Sequence, residues 1–113
     1  MRGAVASLVL LLALTPATAM AKSTRFWNLT AHTITSLRLS PPGANAWGAD
    51  QAANDPDGAV DHDERLNLKG VASGLYDLKL IDKTGRTCVV RDVRISEGAV
   101  FSIEEKQLGD CSK

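Results

Sequence analysis

The stretch GLYDLKLIDKTGRTCVVRDVRI, residues 74–95, constrains the fold of this chain more than any other feature. Its apolar residues Tyr76, Leu78 and Leu80 alternate with polar ones, which is the period of a β-strand with one buried face. The turn-forming sequence DKTG at 82–85 follows, and a β-branched run comes after it. This order predicts an antiparallel hairpin.

The second strand of this hairpin carries an irregularity. Val90 and Val93 cannot both face the core from an unbroken strand, because successive side chains point to opposite faces. An extra residue near Arg91 and Asp92 would bring both valines to one face. The sequence therefore predicts a β-bulge at this point.

Short runs of β type recur along the chain, and no segment shows sustained helical periodicity. The predicted strands lie at 24–30, 33–40, 64–69, 74–82, 86–95 and 98–105. Short glycine-containing turns join the last three, which we predict to form an antiparallel meander. Six or seven such strands predict an all-β fold, a small immunoglobulin-like antiparallel β-sandwich. A small β-barrel is the alternative.

The N-terminal segment has the composition of a secretory signal. Arg2 precedes a short apolar segment at 4–14, and small residues lead to a cleavage site after Ala21. This predicts a signal peptide at 1–21 and a single periplasmic or secreted domain at 22–113. A membrane anchor is the alternative, but the apolar segment is too short to span a bilayer, and no membrane span is predicted after cleavage.

The predicted mature domain is close to neutral. Arg2 belongs to the signal, so residues 22–113 carry 12 basic and 13 acidic side chains, a net charge of −1. This balance gives no electrostatic reason to expect nucleic acid or an anionic membrane as a partner.

The two cysteines predict a disulfide. Cys88 and Cys111 are the only pair in an exported chain, which meets an oxidising compartment. In the predicted meander Cys111 lies beyond the end of the last strand, so the chain must fold back near Gly109. A reactive thiol with His32 or His62 as its base is the alternative, but no cysteine-hydrolase signature surrounds either cysteine.

Residues 41–63 lack a strand signal, and their acidic part suggests a calcium loop. Loops of this length are usually functional or disordered. Oxygen ligands from Asp55, Asp57, Asp61 and Asp63 would suit Ca²⁺. The spacing does not fit an EF-hand, however, and polar turn residues also predict a solvated connection between strands. Calcium therefore stays an open alternative, and no other cofactor is predicted.

Other chemistry finds little support in this loop. His62 lies in the sequence DHDE, but His32 is thirty residues away, so spacing does not favour a zinc or copper site. Carboxylates in one loop do not define two acids across a cleft, and no G-x-S-x-G motif is present. We therefore predict that the protein is not an enzyme.

Trp47 is the residue of the loop that a purely solvated connection does not explain. A large aromatic side chain either folds back as a lid on the sandwich or contributes to a contact surface. In the second case Trp47, Gly48 and Asp50 are the candidate binding residues.

The sequences FWNLTAHTITSLRLSPPGANAWGAD and LYDLKLIDKTGR resemble small exported bacterial proteins of uncharacterised function. Those proteins show N-x-T-x-x-x-I-x-x-L-x-x-S-P, then W-G-x-D, then Y-D-[IL]-[KR]. The matching residues here are Asn28, Thr30, Ile34, Leu37, Ser40, Pro41, Trp47, Gly48, Asp50, Tyr76, Asp77, Leu78 and Lys79. The resemblance implies export and an all-β domain, directs attention to residues 47–50, and implies no activity.

The chain departs from this pattern in two ways. Arg38 stands in the strand where those proteins often have an aromatic residue. Their cysteines tend to lie near the positions of Gly74 and Ser96, so the resemblance does not imply a bridge between Cys88 and Cys111.

These observations predict an exported, non-enzymatic binding or accessory module that presents the 41–64 loop to a protein or envelope component. Trp47 would be its apolar anchor, and Asp50 with the neighbouring acids would form a polar rim. A secreted inhibitor that inserts this loop into an enzyme cleft is one alternative. A calcium-dependent binding module is the other.

Overall fold

A computed structural model describes residues 22–113, which contain seven β-strands and two short 3₁₀ helices. The strands are β1 (Arg25–Leu29), β2 (Ile34–Ser40), β3 (Arg65–Asn67), β4 (Gly74–Asp82), β5 (Thr87–Ile95), β6 (Val100–Glu104) and β7 (Asp110–Ser112). The 3₁₀ helices are Gln51–Asn54 and Glu105–Gln107. The predicted signal peptide, residues 1–21, lies outside the described residues.

The strands form two sheets, in the orders β3-β1-β6 and β2-β4-β5-β7. All neighbours in the four-stranded sheet are antiparallel. In the three-stranded sheet β1 is antiparallel to β3 but parallel to β6. Two sheets around one core confirm the predicted β-sandwich.

Alternation along the strands builds the core between the sheets. The predicted inward residues Leu78 and Leu80 of β4 are fully buried, and Tyr76 packs against the core while partly buried. Phe26 of β1 and Phe101 of β6 meet with ring centroids 5.6 Å apart. These apolar contacts supply the main driving force for folding. No helix in residues 22–113 has the length and apolar character needed to cross a bilayer.

The predicted β-bulge is confirmed in the pairing of β4 with β5. Tyr76 pairs with Val93, and Leu78 pairs with Val90. Two residues of β5 therefore lie opposite Asp77 alone, which is the two-against-one arrangement of a bulge.

The predicted antiparallel meander of the last three predicted strands is wrong for β6. β4 and β5 form the hairpin, but β6 crosses to the other sheet and runs parallel to β1, from the pair Arg25–Val100 to the pair Leu29–Glu104. This crossing buries Ile103 and packs Phe101 against Phe26. The edge of β5 that a meander would fill is taken by β7.

The predicted disulfide between Cys88 and Cys111 is confirmed. The two residues are register partners of β5 and β7, with Cα atoms 4.0 Å apart. The chain folds back through the 3₁₀ helix Glu105–Gln107 and Gly109, close to the predicted reversal.

Candidate functional site

The 41–63 segment is an ordered cover along the edge of the four-stranded sheet. β2 is the outermost strand there, and its outward backbone groups need partners or solvent. The segment supplies those partners along the length of β2. The hydrogen bonds run from Gly48 N–H to Leu39 C=O (2.9 Å), from Leu37 N–H to Asp50 Oδ1 (2.9 Å), from Ile34 N–H to Val60 C=O (2.9 Å) and from Val60 N–H to Ile34 C=O (2.8 Å).

Asp50 has a structural role in this cover. Its Oδ1 accepts from Leu37 N–H at 2.9 Å and from Ala52 N–H at 3.0 Å, where Asp50 caps the first 3₁₀ helix. Such a cap satisfies a backbone donor that the helix leaves open. The carboxylate is therefore engaged within the chain, unlike the polar rim predicted around Trp47.

The four aspartates predicted as calcium ligands have different surroundings. Three of them accept hydrogen bonds from separate parts of the chain. The bonds come from Asp57 N–H to Asp55 (2.8 Å), from Thr33 Oγ1 to Asp61 (2.9 Å) and from Trp27 Nε1 to Asp63 (2.9 Å). Within residues 22–113 no three His, Cys, Asp or Glu side chains are grouped so as to hold a metal ion.

We expect EDTA followed by Ca²⁺ to leave the melting temperature within about 2 °C, because three of the four carboxylates are hydrogen-bonded to separate parts of the chain. The measurement is thermal unfolding of oxidised residues 22–113 in EDTA, then with excess Ca²⁺, with Mg²⁺ as the matched control. A ligand at about 100 times its dissociation constant adds roughly 2.7 kcal/mol. A rise of about 10 °C with Ca²⁺ alone would identify a calcium loop and contradict this expectation.

A buried network of polar groups joins the turn after β1 to the 41–63 segment. Asn28 is fully buried, and its side-chain amide donates to the carbonyls of His32 (3.0 Å) and Val60 (2.9 Å). Its Oδ1 accepts from the hydroxyl of Thr30 at 2.6 Å. The Nδ1 of His62 lies 2.7 Å from the carbonyl of Thr30, so this nitrogen carries the proton. The network therefore fixes the position of the 41–63 segment. Asn28 also begins an N-x-T sequence, but its burial makes it a poor acceptor for glycosylation.

Trp47 lies on the outer face of the four-stranded sheet. The ring is half-buried, and the ammonium of Lys79 is 5.6 Å from its centroid, within the range of a cation–π interaction. Trp47 does not belong to the core cluster formed within residues 22–113. The ring thus covers part of the sheet's outer face and does not enter the space between the sheets.

Two cations lie beside this ring. Arg38 and Lys79 are register partners on β2 and β4. Both point away from the core, because the residues flanking them in each strand are buried leucines. The guanidinium of Arg38 donates to the carbonyl of Gly48 at 2.9 Å, which ties it to the backbone next to Trp47.

Neither cation has an acidic partner in the described part of the chain. The ion pairs of residues 22–113 involve Arg86, Arg91 and Lys106, so no carboxylate lies within 4.0 Å of Arg38 or Lys79. We call Trp47, Arg38, Lys79 and the neighbouring Arg91 the Trp47 surface.

Asp77 holds this surface in place through hydrogen bonds. It is fully buried, and its carboxylate accepts from Gly43 N–H (2.8 Å), Asp92 N–H (3.0 Å) and Arg91 Nη1 (2.9 Å). The backbone hydrogen bonds from Gly43 and Asp92, followed by Arg91, hold the pKa of Asp77 below its ordinary value although burial opposes ionisation. One carboxylate therefore fixes the start of the 41–63 segment, the bulge of β5 and the guanidinium of Arg91.

The structure thus places the candidate site at one end of the 41–63 segment. The residues that form it differ from those predicted. Of the predicted binding residues, Trp47 and Gly48 lie at the Trp47 surface, while Asp50 turns inward. Arg38 and Lys79 are added by the pairing of β2 with β4. Their outward positions in alternating strands are the signal that sequence offers for them.

No family model, curated protein or solved structure matches this chain.

Proposed function

We propose that this protein is an exported, non-enzymatic binding or accessory module that attaches to an envelope component through the Trp47 surface. The observation that carries the proposal is a half-buried tryptophan beside two cations that have no acidic partner within residues 22–113. Aromatic side chains and arginine are the residue types most enriched at contact surfaces.

Export agrees with the covalent chemistry of the domain. The disulfide between Cys88 and Cys111 is of a kind that persists in oxidising compartments outside the cytoplasm. The signal predicted at 1–21 would deliver the chain to such a compartment.

The carboxylates whose pKa values are shifted support a role without catalysis. Burial opposes ionisation of Asp82, but hydrogen bonds from Thr84 and Arg86 outweigh it and lower its pKa. Hydrogen bonds from Arg86 and the backbone of Ala31 lower the pKa of Glu105. A lowered pKa makes a carboxylate a weaker base, and these groups are already bonded within the chain. Their shifts are therefore explained by the packing of the sandwich.

The attachment of the 41–64 loop favours a module over an inhibitor. An inhibitory loop must enter a partner's cleft, whereas this loop is hydrogen-bonded along β2 through Gly48, Asp50 and Val60. The surface that it offers is the flank of a sheet.

Co-sedimentation with the insoluble envelope fraction of the source cells tests the proposal. We expect residues 22–113 to be retained, and Trp47→Ala to reduce binding at least about fivefold, because truncating a central aromatic anchor typically costs more than 1 kcal/mol of binding. The melting temperature of this variant should fall by less than about 5 °C, since the ring is half-buried outside the core.

Val100→Ala is the matched control, because Val100 is 42% exposed and lies on the other sheet. Its retention should equal that of the wild type. Equal retention of Trp47→Ala and wild type would refute the proposed surface. A large loss of stability with unchanged binding of the folded fraction would make Trp47 a lid instead.

A further inference from the structure

The balanced net charge of the domain hides a local imbalance. Arg38 and Lys79 lie directly opposite each other on neighbouring strands, and like charges in this arrangement destabilise a sheet. Adjacent strands are about 4.8 Å apart, so two positive groups share one small area. Neither has a carboxylate within 4.0 Å in residues 22–113, which leaves the pair without the counter-charge that folding alone would favour.

Arg91 extends the hydrogen-bonding capacity of this area without adding net charge. Its Nη1 donates to the buried carboxylate of Asp77 at 2.9 Å and lies 3.4 Å from the side-chain oxygen of Asn45. Its side chain is 47% exposed, and a guanidinium carries further N–H donors in a fixed plane. Asp77 thus fixes the position of the Arg91 guanidinium at this surface.

Asp77 shares this face with Lys79, but it is buried and paired with Arg91. The acid in the same row as Arg38 and Lys79 lies farther across the sheet. The row that contains Arg38 and Lys79 continues through Val89 to Asp110, which is two strands beyond Lys79. The Trp47 side of the face is therefore the cationic side. An anionic ligand with an apolar face would complement both the charges and the indole ring.

The covered edge of β2 favours an acidic sugar polymer over an acidic peptide as the ligand. Acidic peptides that bind sandwiches in extended form add to a free strand edge through their main chain. Here the edge of β2 is occupied, since Leu37 donates to Asp50 and Leu39 accepts from Gly48. A ligand of the Trp47 surface must bind through side chains and the ring. Sugar rings have flat C–H faces that stack on indole, and uronic acids place carboxylates at their rims.

We infer that the Trp47 surface binds an acidic polysaccharide, whose sugar rings stack on Trp47 while its carboxylates pair with Arg38, Lys79 and Arg91. This inference rests on the proposed function, because it names the chemical class of the envelope component at the same surface.

Titration of oxidised residues 22–113 with oligogalacturonate and with hyaluronan oligomers, followed by tryptophan fluorescence and calorimetry, tests the inference. We expect the binding to weaken as the salt concentration rises from 50 to 150 mM, because salt screens exposed charges. The Debye length is about 10 Å at 0.1 M ionic strength. Arg38→Gln and Lys79→Gln should each weaken binding about fivefold, and the double variant should weaken it about 25-fold. Without ligand, Lys79→Gln should melt at an equal or higher temperature, because it removes a like-charge pair.

Lys83→Gln is the matched control, because Lys83 is an exposed lysine in the turn after β4 and outside the Trp47 surface. Equal binding of neutral dextran would show that charge is not used, and tighter binding of poly-glutamate would assign the surface to an acidic peptide. Either result overturns the inference, as does binding to neither acidic glycan. If Trp47-dependent retention by the envelope fraction persists in those cases, the proposed function stands while the ligand class is wrong.

Discussion

Removal of the disulfide is expected to lower the free energy of unfolding by about 3–4 kcal/mol and the melting temperature by about 15–25 °C. Cys88 and Cys111 are separated by 23 positions, and a cross-link of this span restricts the unfolded chain substantially. The bond also anchors β7, which holds only three register pairs with β5. Without it the short terminal strand should separate and expose the buried Cys88 side of the core.

Thermal and urea unfolding of two species measures this effect. One is the wild type reduced with dithiothreitol, and the other is the double variant Cys88→Ala and Cys111→Ala. The reduced wild type keeps both sulfur atoms, so it reports the cross-link without a change in side-chain volume. The variant adds the cost of a cavity at Cys88, which is fully buried. If both species melt within about 5 °C of the oxidised protein, β7 is held by its strand pairing and the prediction is wrong.

The sandwich could be predicted from the sequence because its local signals agree. Alternation in β4 correctly indicates that Leu78 and Leu80 face the core. The slip between Val90 and Val93 locates the bulge. These features depend on side-chain parity within one or two neighbouring strands, which a sequence records directly.

The partner of β6 could not be predicted in the same way. Alternation of Phe101 and Ile103 tells which side of the strand is buried, but it does not tell which strand lies alongside. The parallel pairing with β1 joins segments more than seventy residues apart. It is decided by packing against Phe26 and by the occupation of the β5 edge by β7.

The candidate site shows the same division. Trp47 was identified by its residue type in a polar loop. Its cationic neighbours depend on the register of β2 with β4, which places Arg38 opposite Lys79. The acids clustered in sequence are dispersed in space, because Asp50 binds Leu37 and Asp63 binds Trp27. Acids that are close in sequence therefore suggested a more acidic site than the structure shows. The sequence did not indicate that Arg38 and Lys79 lie together beside Trp47.

Asp77→Asn is expected to lower the melting temperature by more than about 10 °C, although it changes only one atom of the side chain. The carboxylate accepts on Oδ2 from Gly43 and Arg91, and on Oδ1 from the backbone of Asp92. An asparagine carries two donors in place of one of these oxygens. In either orientation at least one partly buried donor then faces another donor, and such groups are costly to leave unsatisfied. The start of the 41–63 segment and Arg91 should loosen together, so envelope retention should fall as well.

The pH dependence of this difference isolates the charge. Hydrogen bonds from Gly43 and Asp92, then Arg91, lower the folded pKa of Asp77 below its ordinary 3.8. A group of this kind contributes stability above its unfolded pKa, and that contribution is lost as pH falls through the folded pKa. The gap in melting temperature between wild type and Asp77→Asn should therefore be full at pH 7 and shrink below about pH 4.

Asp92→Asn is the control that separates this effect from the loss of any nearby acid. Asp92 is exposed and has a φ of 54°, a left-handed conformation that asparagine also adopts readily. Its backbone N–H still donates to Asp77 in the variant, so its melting temperature should stay within about 2 °C of the wild type. A constant gap between wild type and Asp77→Asn from pH 7 to pH 3 would show that shape, and not the ionised carboxylate, holds the bulge and the loop together.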